Sequence, residues 1–118
     1  MAQQTFELAP WTTLKGSEAS TDEIIQRRET WVDAESNKEA VVCIQVLTHT
    51  NCTLSLQTAV MPEGPWTNIA NFTAATNTTK YFSSTEAATA KFQRFLRWKL
   101  DRSVANWQTG FRIEVNVL

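Results

Sequence analysis

Two cysteines, three glycines, three prolines, one histidine and one tyrosine are all that these residue types contribute to 118 positions, and each shortage removes a class of explanation. So few Gly and Pro exclude collagen-like repeats and Pro/Gly-rich disorder. A net charge of −1, from 11 Lys plus Arg against 12 Asp plus Glu, gives no general drive toward nucleic acid or an anionic membrane. No run approaches the roughly 20 apolar residues of a membrane helix, so no membrane partner is expected. Residues 1–10 lack a basic start followed by an apolar core, which reads as no signal peptide and synthesis in the cytoplasm.

The scarcity extends to reactive groups. His49 has no second histidine to share a metal and is expected in an exposed loop over 48–51. Cys43 and Cys52 lack paired metal spacing. If 48–51 closes a hairpin, Leu47 faces Cys52 and Cys43 lies near Leu56, too far along the ladder to bridge, so two free thiols are expected. Neither a Ser nucleophile elbow nor a phosphate-binding Gly loop is present. The carboxylates Asp22 and Glu23 fall in a polar segment. No catalytic residue, no metal site and no cofactor is assigned, and the chain reads as a non-enzyme. Three sequons, at Asn51, Asn71 and Asn77, read as chance matches in a Thr-rich β protein.

Alternation is what the sequence does contain. Leu96, Trp98 and Leu100 share one parity, and Phe111, Ile113, Val115 and Val117 oppose Arg112, Glu114 and Asn116. Period two marks strands that bury one face. Strands are predicted over 29–33, 40–47, 53–60, 67–72, 79–83, 92–100 and 111–117, with an eighth over 9–14. Val41 to Leu47, apolar on nearly both faces, is placed as a central strand. Pro62-Glu63-Gly64-Pro65 is a turn. The predicted fold is all-β: a single antiparallel β-sandwich, jelly-roll or Ig-like, of seven to eight strands over 29–118. An extended N-terminal arm over 1–28 precedes it, with a turn of helix over 22–27.

Two groups of residues point outward. Phe6, Leu8 and Trp11 are three large apolar side chains within six positions, expected to anchor the arm on a neighbouring subunit. Among five tryptophans, Trp98 reads as core, whereas Trp66 and Trp107, with Tyr81, are candidates for contact with a ligand or partner. Arg94, Arg97, Lys99, Arg102 and Arg112 interleave with Phe95 and Trp98. Because Arg94 and Arg97 differ in parity, the cluster favours charge pairing or an acidic protein partner over nucleic acid.

The runs Leu54-Ser55-Leu56-Gln57-Thr58-Ala59, Pro62-Glu63-Gly64-Pro65-Trp66-Thr67-Asn68-Ile69 and Arg94-Phe95-Leu96-Arg97-Trp98-Lys99-Leu100 resemble small all-β modules of tailed-phage and prophage virions. The resemblance covers about half the chain. It implies a structural protein of the virion, a capsid decoration or tail subunit that binds itself or a capsid or tail protein. The competing expectation is a carbohydrate-binding sandwich using Trp66, Tyr81 or Trp107 as stacking platforms.

Overall fold

The computed structural model describes residues 4–33, 40–72, 78–83 and 93–117. Nine strands run through them: β1 Gln4–Gly16, β2 Ile24–Ile25, β3 Val32–Asp33, β4 Ala40–Thr50, β5 Thr53–Ala59, β6 Thr67–Phe72, β7 Thr78–Ser83, β8 Phe95–Asp101 and β9 Trp107–Val117. A 3-10 turn, Arg28–Thr30, separates β2 from β3. There is no α-helix among the described residues. The predicted turn of helix over 22–27 is instead a short strand: the Ser20 hydroxyl caps the Asp22 amide, but Ile24 and Ile25 then pair with Leu100 and Lys99. Phe92 and Asn77 lie outside the described residues.

All pairings are antiparallel. The first sheet has the order β1-β9-β4-β7 and the second β2-β8-β5-β6, with β3 also pairing β8. Strands cross between sheets at nearly every connection, and β5 to β6 is the hairpin that stays in one sheet. This is jelly-roll order, the first of the two sandwich types expected. Between β5 and β6 the Gly64 amide donates to the Met61 carbonyl at 2.9 Å, and Gly64 takes φ +96°, which an L side chain adopts only with strain.

The core lies between the sheets. From β9 come Trp107, Thr109, Phe111, Ile113 and Val115; from β4, Val42, Ile44 and Val46; from β5 and β8, Leu54, Leu56, Leu96, Trp98 and Leu100. Trp98 meets Phe111 edge to face at 5.1 Å. The alternation that marked β8 and β9 in sequence is therefore the inward and outward alternation of the sandwich.

Residues 4–16 depart from the expected arm. They form the edge strand of the first sheet, paired with β9 from Gln4 opposite Val117 to Gly16 opposite Trp107. Leu8 and Ala9 are buried in the core, and Phe6 and Leu14 pack against it. Two register shifts, at Glu7/Ala9 and Ala9/Thr12, break the alternation, which is why the segment does not read as a strand. Burying a Leu is worth roughly 1.5–3 kcal/mol, so the chain's own core takes up Leu8 and part of Phe6, leaving Trp11 outside it.

Candidate functional site

Side chains that point away from the core define two sheet faces and one polar end. On the outer face of the first sheet, β9 presents Arg112 and Glu114, which form an ion pair with each other. Arg112 lies opposite Gln45 on β4, and on its other side is the Pro10–Trp11 irregularity of β1. Glu114 lies opposite Cys43, which in turn lies opposite Tyr81 on edge strand β7. Three large side chains stand out around this pair: Trp11 at 55% exposure, Leu47 at 54% and Tyr81 at 70%. Trp11 and Leu47 are exposed because each sits at a register shift, where the extra residue is turned out of the ladder. With strands about 4.8 Å apart, Trp11 on β1 and Tyr81 on β7 are three strand spacings apart, roughly 15 Å.

The polar end holds the histidine. Contrary to the expected exposed loop, His49 is buried in β4, with Nδ1 2.8 Å from the Thr109 hydroxyl and Nε2 donating to the Cys52 carbonyl at 2.8 Å. The shift at Leu47 reverses the parity of β4 and turns His49 inward. Cys52 Sγ lies 3.9 and 3.8 Å from the two ring nitrogens and donates to the Gln108 carbonyl at 3.3 Å. A sulfur equidistant from both nitrogens sits against the ring rather than on a lone pair, and burial pushes its pKa up. This is a packing arrangement, not a thiolate nucleophile with its base. The hairpin expected over 48–51 also fails, because β4 and β5 belong to different sheets. Both cysteines are free. No group of three or more His, Cys, Asp or Glu side chains able to hold a metal occurs among the described residues.

On the outer face of the second sheet, Trp31 and Trp66 meet edge to face at 4.8 Å, and the Arg97 guanidinium lies 3.9 Å from the Trp66 ring centre. Trp66 is thus half-buried under an arginine. Trp107, the other tryptophan expected to touch a ligand, is buried: its ring packs on Gly16, its Nε1 donates to the Glu18 carbonyl at 3.0 Å, and Arg102 covers it at 5.5 Å. Of the three arm residues, Leu8 is in the core, Phe6 is half-buried against it, and Trp11 alone faces solvent. Of the six residues singled out from sequence, Trp11 and Tyr81 share an open face, the outer surface of the first sheet. Leu47 joins them unforeseen.

No family model matches the sequence, and no characterised protein matches it by sequence. Among solved structures, the chain is similar to a protein of Bacillus endospore appendages, which form a novel family of disulfide-linked pili, with TM-score 0.52 and 14% identity over 98% of this chain and 86% of that one. It is also similar to a chain from the structure of infectious bursal disease virus Gx strain, with TM-score 0.50 and 8% identity over 98% of this chain. It spans 31% of the viral protein's length. At these identities the likeness is one of fold, an antiparallel sandwich used in a pilus and in a virus.

Proposed function

We propose that the protein is a non-enzymatic structural subunit that assembles with copies of itself through the outer face of the first sheet. The observation that carries this reading is the exposure of Trp11, Leu47 and Tyr81 on one sheet face around the Arg112–Glu114 pair. Monomeric domains seldom expose apolar groups together in this way, and a sheet face of this extent is of the order of the roughly 800 Å² per partner that a stable interface buries. The adjacent positive and negative side chains make the face self-complementary: a twofold axis between them sets arginine against glutamate in both directions. The fold likenesses to pilus and virus proteins agree with this role, and the virion-module resemblance narrows it to a capsid decoration or tail subunit, located in the virion. A sugar platform is less well supported, since Trp107 is buried and Arg97 covers Trp66.

Sedimentation velocity over a concentration series tests the reading, using the full chain and the variants Trp11→Glu, Leu47→Glu and Tyr81→Glu. The wild type should form dimers or larger species. Each variant should melt as the wild type does and associate about 10- to 100-fold more weakly, the equivalent of roughly 1.5–3 kcal/mol per lost apolar contact. A wild type that stays monomeric, or variants that associate as well as it does, would refute the assignment.

A further inference from the structure

We infer that the outer face of the second sheet carries a carboxylate-binding site, formed by Arg97 and Arg28 about Trp31 and Trp66, that receives an acidic segment of a protein partner. Arg97 stands opposite Gln57, with β5 and β8 side by side beneath it. Its Nε donates to Gln57 Oε1 at 2.9 Å, and Gln57 is held in turn by donating to Asn68 Oδ1 at 2.9 Å. The guanidinium is stacked 3.9 Å from the Trp66 ring centre and lies 5.2 Å from that of Trp31. Trp66 is itself anchored, its Nε1 donating to the Pro62 carbonyl at 3.3 Å. The orientation of the cationic fork is fixed before any ligand arrives, which removes part of the entropic cost of binding.

The charge of this fork is unmatched. The basic side chains on either side of it have acids: Lys99 on β8 pairs with Glu23 at 2.7 Å, and Arg94, just before β8, with Asp33 at 2.9 Å through two guanidinium nitrogens. Arg97 pairs with no carboxylate among the described residues; Glu23, the acid whose field reaches it, is held by Lys99. Its terminal amino groups make no hydrogen bond among the described residues, and no enclosed side-chain polar atom there lacks a partner, so these groups face outward. Arg28, 5.9 Å from the Trp31 ring centre, also has no acid partner among the described residues. Two guanidiniums against one indole are at most about 11 Å apart. Two carboxylates on alternate residues of an extended peptide, about 7 Å apart along the backbone, reach both.

A polypeptide suits this surface better than the other polyanions. The guanidiniums occupy the indole surfaces a sugar ring would stack on, and the neighbouring Lys99, Arg94 and Arg27 are already paired with Glu23, Asp33 and Glu29. The two guanidiniums left without an acid among the described residues therefore match a short pair of carboxylates rather than a continuous phosphate backbone, which would need a longer run of free cations. Val60 and Met61, exposed at the turn that anchors Trp66, supply an apolar rim beside it. The site is on the opposite face from the proposed self-assembly surface and does not depend on that reading.

The test titrates the full-length protein with an oligoglutamate peptide, an oligoglutamine peptide and oligogalacturonate, followed by calorimetry and tryptophan fluorescence. Oligoglutamate should bind and alter tryptophan emission, more weakly as salt rises, and oligoglutamine should not bind. Arg97→Lys should weaken binding about tenfold or more, because an ammonium can neither stack flat nor donate in parallel. If that variant is not folded, Arg28→Gln, at an exposed site off the sheet, carries the comparison with an expected severalfold loss. Absence of oligoglutamate binding, or binding that neither substitution weakens, overturns the inference. Arginine-dependent binding of oligogalacturonate without oligoglutamate overturns it too, by making the ligand a saccharide.

Discussion

Replacing Gln26 by Met would remove hydrogen bonds that close a gap in the sandwich. Ile25 pairs with Lys99 and Val32 with Leu96, so between β2 and β3 the strand β8 has no continuous neighbour. Gln26 fills the break: its amide donates to the Trp98 carbonyl at 3.1 Å, and its side-chain Oε1 accepts from the Trp98 amide at 3.0 Å. Its Nε2 donates to the Leu8 carbonyl at 2.7 Å and to the Thr30 carbonyl at 2.9 Å. One side chain thus ties the second sheet to β1 of the first. Methionine keeps the length and volume but leaves the Trp98 amide and the Leu8 carbonyl unpaired at a site where Gln26 is only 4% exposed. Each stranded group costs about 1–3 kcal/mol, whereas Thr30 is exposed and its carbonyl turns to water. The expected loss is about 2–6 kcal/mol, a large share of the roughly 5–15 kcal/mol that holds a domain of this size. Urea unfolding followed by circular dichroism and tryptophan emission measures it as a lower midpoint with an unchanged slope. A loss under about 0.5 kcal/mol would show that Gln26 is not the clasp between the sheets.

Deleting residues 1–16 should abolish cooperative melting, because it removes Leu8 and Ala9 from the core and strips one side of β9; a truncated chain that melts within a few degrees of the full one would return the segment to the role of an arm. Cys52 should resist a thiol reagent until the chain unfolds, whereas half-buried Cys43, between Glu114 and Tyr81 on the proposed assembly face, should react in the dilute monomer and become protected as the chain associates. Burial raises the pKa of Cys52 in the folded state, so the unfolded chain ionises first and stability falls as the pH climbs above the ordinary thiol range of about 8.5. Cys52→Ala should flatten that alkaline decline in a series of urea midpoints, and an unchanged decline would assign it to other groups.

What could be read from sequence, and what could not, follows the regularity of the ladder. β9 runs straight through the centre of the first sheet, and alternation was enough to find its inward set from Phe111 to Val115. Trp107 and Thr109 extend that set but were missed, because a polar threonine and Gly110 interrupt the apolar signal and Trp107 was expected to touch a ligand. Both neighbours of β9 carry extra residues. A single insertion at Leu47 exchanges the two faces of β4 beyond it and sends His49 inward, the opposite of what unbroken parity from Val42, Ile44 and Val46 implies. Two insertions in β1 make a 13-residue strand look like an apolar knot in a polar tail. Gln26 was illegible for a different reason. Its burial depends on a break between β2 and β3 that exists only once β8 lies beside them, and a polar residue in a polar stretch gives no sign of it.

The same irregularities that obscured the fold place its candidate surface. An ideal β1 and β4 would continue alternating and spread their apolar residues between the core and single exposed sites. The extra residues instead turn Trp11 and Leu47 out on the two strands that flank β9, either side of Arg112. Bulges that cost ladder hydrogen bonds yet leave large apolar side chains in water are unfavourable for an isolated domain on both counts. They become favourable when a second molecule covers that face, and this is the physical reason to look for the protein's assembly there rather than at its cysteines or its lone histidine.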